Sequence, residues 1–358
     1  MPFCLLRPDA ALRICYKSGM SAVTIKDVAR VANVNPATVS KALRGIPGKV
    51  SAETRQRIEQ AARDLGYRHN AVAAALRNRR SNLIGIIVPD LANPLFGPIV
   101  QGLERHLREA GWMSVIVQTP TDPNERREVV ISLANRQVAG LVITSAESDD
   151  PMLAAAEEVN LPLVLVNRGL DEQRFSSVIN DDHESVQLVL DHLYKLGHRR
   201  LAHLAGPISS STGRARKAAF LELVARLPGA QGQVIDTPAF TREAGFDATN
   251  SLLAQQPAAG ITAIFAGNDL MAVGAIDALQ CSGLRVPQDV SVVGHNDMPL
   301  VDMISPPLTT VRIPIERMSH HAAQLLIQRL ADSRLGPLQR VLTPTLVVRQ
   351  STQQVRPD

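Results

Sequence analysis

The chain is poor in cysteine: Cys4, Cys15 and Cys281 are the only thiols in 358 residues. Their spacing fits no zinc site, and three thiols cannot build a disulfide framework. There is no run of 18 or more apolar residues, so no segment reads as a transmembrane helix. Arg7, Pro8, Asp9 and Arg13 interrupt any apolar stretch that would serve as the core of an export signal. The chain is therefore read as cytoplasmic. The motifs G-x-G-x-x-G, G-x-x-x-x-G-K-[ST] and G-x-S-x-G are all missing, which argues against nucleotide-binding and hydrolase chemistry. His183, His192, His198, His203 and the pair His320-His321 lack acidic or thiol partners at ligand spacing. They are read as exposed or helix-capping side chains. No metal, no cofactor and no enzymatic activity are expected.

What the chain does have is an uneven distribution of charge. The net charge of +4 hides a balance of +8 between Met20 and Arg80, +2 before it and −6 after it. A basic head on an acidic body fits a polyanion-binding module joined to a domain that need not touch nucleic acid. With 45% apolar residues the body can bury sizeable cores.

Three short helices are readable in the head. Thr24 caps a first helix carrying Ile25, Val28 and Ala29, with Asp27 near the positive end of its dipole. A break at Ala32-Asn33-Val34 follows. Asn35 then caps a second helix whose first position is Pro36, where the missing N–H is not needed. Val39 and Leu43 face inward, while Ala37, Lys41 and Arg44 share the outward face. A third helix starts at Ser51, buries Ile58, Ala61, Ala62 and Leu65, and ends before Gly66. Two helices, a tight turn and a bracing third make a helix-turn-helix, whose second helix enters the major groove. Lys41 suits guanine O6 or N7, and Pro36 and Ala37 suit a thymine methyl. Thr24, Thr38, Ser40 and Lys49 suit phosphates, which set register.

Thr24-Ile-Lys-Asp-Val-Ala-Arg-Val-Ala, Asn35-Pro-Ala-Thr-Val-Ser-Lys-Ala-Leu43, Val50-Ser-Ala-Glu-Thr-Arg55 and Leu65-Gly-Tyr67 resemble the signature of the LacI (lactose repressor) family of bacterial transcriptional regulators. The resemblance covers essentially everything after Met20. It implies a helix-turn-helix DNA-binding domain over 20–69, a hinge helix and linker over 70–81, and a two-lobed effector-binding and dimerisation domain over 82–358. Residues 1–19 are then an extension, either a disordered tail or the product of a start placed too far upstream. The segment Asn70-Ala-Val-Ala-Ala-Ala-Leu76 is about two turns long, too short to be stable alone in water. By resemblance it folds when two copies pair in the minor groove, with Leu76 wedged into a base step. Ala73 then lies at the helix–helix contact, and Asn70 and Tyr67 lie near phosphates.

From Leu83 onward, apolar runs alternate with helical stretches. Strands are read at Leu83–Val88, Met113–Val117, Gly140–Ile143, Leu163–Val166, Leu201–Leu204, Ala263–Phe265 and Val290–Val293. Helices are read at Leu95–Ala110, Glu184–Leu196, Arg214–Leu227, Leu270–Ser282 and Ile315–Leu330. This alternation means parallel α/β sheets. The resemblance divides them into two lobes of the type I periplasmic-binding-protein-like fold. It places crossovers near residues 180 and 310, the last matched by Pro306-Pro-Leu-Thr-Thr310.

Ligands of parallel sheets bind beyond the C-terminal strand ends. The polar residues there are Asp90, Asn93, Asn167, Arg168, Asn268, Asp269, Asn296 and Asp297. The resemblance adds Arg216 and matches Asp90, Asn93, Asn167, Arg168, Asn268, Asn296 and Asp297 to effector contacts. Relatives carry an aromatic and an aspartate at His295-Asn296, and an acid at Asn167. The neutral amides here, with Arg168 and Arg216 available for bidentate contacts, point to a sugar acid or another carboxylate as effector.

The reading is a repressor on pseudo-palindromic operator DNA, controlled by a sugar or sugar acid, with no membrane partner. A homodimer is expected because no leucine-heptad tail follows Val348. The rival readings are an α/β small-molecule-binding protein, or an enzyme, that does not bind DNA.

Overall fold

The computed structural model describes residues 23–43, 50–67, 81–144, 146–147, 149–255 and 260–355. The chain divides into two units, Met1–Ala74 and Ala75–Asp358.

In the first unit, α1 (Ile25–Val31), α2 (Pro36–Leu43) and α3 (Ala52–Asp64) form the bundle read from the sequence. Asp27 accepts from both the Thr24 amide (3.0 Å) and the Thr24 hydroxyl (2.7 Å), which ties down the start of α1. Asn35 Oδ1 accepts from the Thr38 amide at 2.7 Å, and Ser51 Oγ from the Thr54 amide at 3.3 Å. The turn between α1 and α2 passes through Asn33 at φ +49°, a conformation asparagine tolerates. Val28, Ala29, Val39, Ala42, Ile58, Ala61 and Ala62 form the core, with Leu43, Leu65 and Tyr67 packed partly buried against it. Arg57 Nε, reaching from α3, donates to the Ala32 carbonyl and clamps the turn.

The second unit holds two six-stranded sheets. The first sheet runs, in spatial order, Gln339–Leu342 (β11), Ser176–Asn180 (β5), Leu163–Asn167 (β4), Gly140–Ile143 (β3), Leu83–Val88 (β1) and Met113–Gln118 (β2), all parallel. On one face pack α4 (Phe96–Glu109) and α11 (Ile315–Ala331); on the other, α5 (Pro123–Asn135) and α6 (Pro151–Glu158). The second sheet runs Thr345–Val347 (β12), Thr309–Arg312 (β10), Ser291–Asn296 (β9), Ala263–Ala266 (β8), Arg200–Ala205 (β6) and Gln231–Asp236 (β7). Only the β10–β12 pair is antiparallel. Here α9 (Arg242–Gln255) and α10 (Asp269–Cys281) cover one face; α7 (Asp182–Lys195) and α8 (Ser211–Val224) cover the other. Helices on both faces explain why inner strands such as β1, β3, β4 and β8 are apolar at nearly every position, while β5 and β10 begin with buried Ser176-Ser177 and Thr309-Thr310. Each fully buried aliphatic side chain, such as Ile86 or Val164, stabilises the fold by about 1.5–3 kcal/mol.

The chain crosses between sheets after β5, after β10 and again between β11 and β12. Pro306–Thr310 therefore leads into β10 within the second sheet, and the last crossing comes later, at Leu342–Thr345. The last two strands are short edge strands, which the apolar pattern does not mark. The histidine reading also needs correction. His203 is fully buried on β6, stacked 4.7 Å from Phe265 and bonded through Nδ1 to the Phe265 carbonyl at 3.0 Å. Burial pushes its pKa down to about 4, so it packs as a neutral ring. His198 is likewise buried, bonded to Thr262 and to the Gln353 carbonyl.

Candidate functional site

In the first unit, the pattern of buried Val39 and Ala42 leaves Asn35, Pro36, Ala37 and Lys41 exposed along α2. The amide oxygen of Asn35 also receives the Thr38 hydroxyl at 2.9 Å, so these two side chains brace each other at the start of the helix. Thr38 and Ser40 are half-buried, and Thr24 is exposed at the N-terminus of α1. Tyr67 packs half-buried against the three-helix core. The expectations for Arg44, Lys49, Asn70, Ala73 and Leu76 fall outside the described residues.

In the second unit, a cavity of about 240 Å³ lies between the C-terminal ends of the two sheets. From the first sheet come Asp90 and Asn93 after β1, and Asn167 and Arg168 at the end of β4. From the second come Arg216 on α8, Asn268 capping α10, and Asn296 at the end of β9. These seven expected residues share one lining. Asp297 does not: at φ +53° its carboxylate turns to Arg312 Nε (2.6 Å) and Arg349 Nη2 (2.7 Å). It thus ties the end of β10 to the segment after β12.

The hydrogen bonds decide which atoms face a ligand. Asn93 Oδ1 accepts from the Leu95 amide at 3.1 Å, and Asn296 Oδ1 faces His295 Nδ1 at 3.0 Å. Asn268 is used at both ends, its oxygen receiving the Met271 amide (2.9 Å) and its nitrogen donating to the Phe240 carbonyl (3.1 Å). Arg216 is anchored by Nε to Asp182 Oδ1 at 2.8 Å and by Nη1 to the Gly267 carbonyl at 2.6 Å. One of the two expected guanidinium groups is therefore already charge-paired. Burial raises the Asp182 pKa, opposed chiefly by Arg216. Arg168 is pushed down to about 10 by burial, with Glu147 pulling the other way; it remains a cation at neutral pH.

Several lining residues escaped the sequence reading. The Arg168 guanidinium lies 5.6 Å from the centre of the Phe240 ring, an attractive cation–π contact. Phe240 packs against Gly206, where an added Cβ would approach its ring to 2.1 Å. Ser210 and Thr212 bond each other at 2.8 Å, and Glu147 accepts from Ser209 at 3.2 Å. Phe240 follows β7, a strand too polar to be read. Glu147 follows β3 in a loop with no periodicity. Among the described residues, no cluster of three His, Cys, Asp or Glu side chains is arranged to hold a metal, and no helix is long and apolar enough to cross a membrane.

Residues 24–70 match the family described as bacterial regulatory proteins, lacI family, and 190–352 match a periplasmic binding protein-like domain. An uncharacterized HTH-type transcriptional regulator in the aml 5′ region of Streptomyces limosus is 36% identical over 340 residues, covering 92% of this chain and 94% of that protein. The lac repressor dimer bound to operator and the anti-inducer ONPF aligns with a TM-score of 0.81 at 30% identity, covering 93% of this chain and 100% of the other. The complex of the transcriptional regulator CelR with cellobiose aligns at 0.70 and 30%, covering 92% and 99%.

Proposed function

The chain belongs to the LacI family of bacterial regulatory proteins, and on that premise we propose that it is a repressor whose hold on operator DNA is set by a monosaccharide-sized sugar acid between its two lobes. The head would read the major groove with α2. Lys41 would meet a guanine, and Pro36 and Ala37 a thymine methyl. Thr24, Asn35, Thr38 and Ser40 would hold phosphates. Arg44 would share the outward face with Lys41, and Lys49 would meet a phosphate; Tyr67 and the hinge residues Asn70, Ala73 and Leu76 take their roles from the resemblance. The lac repressor was solved as a dimer on its operator. A second copy here would likewise set two heads on a pseudo-palindromic site. Domain limits of 20–69, 70–81 and 82–358 suit this division of labour.

One observation carries the choice of effector: the direction of the hydrogen bonds in the cavity. The oxygens of Asn93 and Asn268 receive the protein's own backbone N–H groups, and that of Asn296 lies 3.0 Å from His295 Nδ1. The amide N–H groups left over, with the guanidinium groups of Arg168 and Arg216, ask for a ligand rich in acceptors. A carboxylate supplies the strongest of these. The ring of Phe240 offers a flat apolar wall for the C–H face of a sugar. The volume is below the roughly 300–1,000 Å³ of sites for drug-sized ligands, which favours one ring over two. Asp90 and Glu147 remain as acceptors for hydroxyl protons. An effector that binds one arrangement of the lobes better would shift operator affinity by a coupling free energy of about 1–3 kcal/mol.

Binding-site selection from random duplexes followed by gel shift tests the first half. A chain that retards no selected duplex at physiological salt is not this regulator. Calorimetry with the matched pairs D-glucose and D-gluconate, and D-galactose and D-galacturonate, tests the second. The acid of at least one pair is expected to bind about ten-fold tighter, or about 1.4 kcal/mol. Tight binding of neutral sugars alone eliminates the acid class and leaves the regulator standing.

A further inference from the structure

The last two residues of β9, His295 and Asn296, hold a contact that sets the chemistry of the cavity. His295 is fully buried, and Asn296 lines the cavity at φ +118°, a backbone conformation asparagine adopts only under constraint. The imidazole Nδ1 lies 3.0 Å from Asn296 Oδ1. On the other side, Nε2 lies 3.9 Å from Asp182 Oδ1, too far for a hydrogen bond, and has no hydrogen-bond partner among the described residues. That Asp182 oxygen is already held by Arg216 Nε at 2.8 Å.

Burial, and then the neighbouring Arg216 guanidinium, hold the His295 pKa well below 6.5, so the ring is neutral and carries one N–H. An amide oxygen cannot donate. The proton between His295 and Asn296 therefore belongs to Nδ1, and Nε2 keeps a bare lone pair.

The geometry points to His295 as a specificity-determining positioning residue: its Nδ1–H fixes the Asn296 amide with the NH2 toward the cavity, so that this position selects a ligand oxygen acceptor. The opposite tautomer would reverse the selection. A proton on Nε2 would leave Nδ1 to accept from the Asn296 amide, turning the carbonyl oxygen to the ligand and favouring a hydroxyl proton. The 3.9 Å gap would leave a proton on Nε2 buried without an acceptor among the described residues, which disfavours that state. His295 touches no ligand itself. It decides the polarity of a residue that does, and so extends the acid-effector reading on which its ligand class rests.

The tautomer is measurable without any effector. Full-length protein labelled with 15N-histidine gives long-range 1H–15N correlations that separate the Nδ1–H, Nε2–H and charged forms. The His295 resonances are assigned by their loss in His295→Phe, or in His295→Gln if the first variant does not fold. We expect the Nδ1–H form in the wild type at pH 7, and conversion to Nε2–H in Asn296→Ala, where nothing accepts from Nδ1. An Nε2–H or charged ring in the wild type, or a tautomer indifferent to Asn296→Ala, overturns the inference. In Asn296→Asp the carboxylate takes the same Nδ1–H and turns its second oxygen to the cavity. In the matched pair that the wild type discriminates, the ratio of acid to neutral-sugar affinity should then fall about ten-fold or more; an unchanged ratio also overturns it. If the wild type shows the Nδ1–H form but prefers neutral sugars, the effector class fails while the tautomer assignment stands.

Discussion

Replacing Arg216 by Met tests whether the cavity is organised around a buried ion pair. The side chains of Arg216 and Asp182 are 4% and 11% exposed, joined at 2.8 Å, and Arg216 also donates to the Gly267 carbonyl. Removing one partner of such a pair typically costs about 3–5 kcal/mol, because the other charge is left buried and uncompensated. The lower end applies here. Burial already raises the Asp182 pKa, and without Arg216 the carboxyl can take up a proton rather than stay charged. A loss of about 3 kcal/mol in a unit of this size lowers Tm by roughly 5 °C. Replacing both residues, Arg216→Met with Asp182→Leu, removes the buried charge altogether and should return Tm to within about 3 °C of the wild type. Scanning calorimetry of the four proteins closes the double-mutant cycle, with an expected coupling of about 2–3 kcal/mol. Effector binding should be lost in the double variant even though stability returns. If the two substitutions lower Tm additively, the pair carries no coupling and the cavity is held by packing alone.

Three further outcomes follow from particular contacts. Lys41→Ala should relax base preference at one position of each half-site by roughly 1–3 kcal/mol; an unchanged selection profile would remove Lys41 from base reading. Gly206→Ala places a Cβ 2.1 Å from the Phe240 ring, so the ring must move; effector affinity should drop about ten-fold or more, with gel-shift affinity for operator in the absence of effector retained. Asp269 is fully buried, and burial pushes its pKa up to about 7 despite bonds from Thr310 and the Met298 amide. A carboxyl whose folded pKa lies above its unfolded value of 3.8 keeps a proton the unfolded chain has lost. Its contribution therefore favours the fold most below about pH 4 and declines as pH rises to 7, by at most about 4 kcal/mol. Denaturant titrations of wild type and Asp269→Asn across this window should differ in slope; parallel curves would count against the protonated carboxyl.

The head was legible because its signals are local. A cap, a proline at the first helical position and inward residues three or four apart each act within one turn, and Thr24, Asn35, Pro36 and Ser51 stand in the structure where those rules put them. Most of the inner strands of the body were legible for a related reason. A strand covered on both faces is apolar throughout, and β1 and β3 have the limits the sequence suggested. The elements missed carry weak or mixed patterns: the inner strands β5 and β10 begin with Ser176-Ser177 and Thr309-Thr310, and α5 and α9 show only a shallow apolar stripe. The edge strand β7 is polar, β11 and β12 are short, and α6 is so rich in alanine that it shows no stripe.

Sequence alone therefore determined the order of elements in the head, the parallel sheets of the body and the polar residues waiting at their strand ends, because each follows from neighbours along the chain. Only the tertiary structure decided which of those residues meet, and which atoms they show. Asn296 and Asp297 are adjacent and chemically similar, yet one lines the cavity and the other ties the end of β10 to the segment after β12. Their backbone angles, set by contacts with His295, Arg312 and Arg349 from three different segments, send the two side chains to different partners.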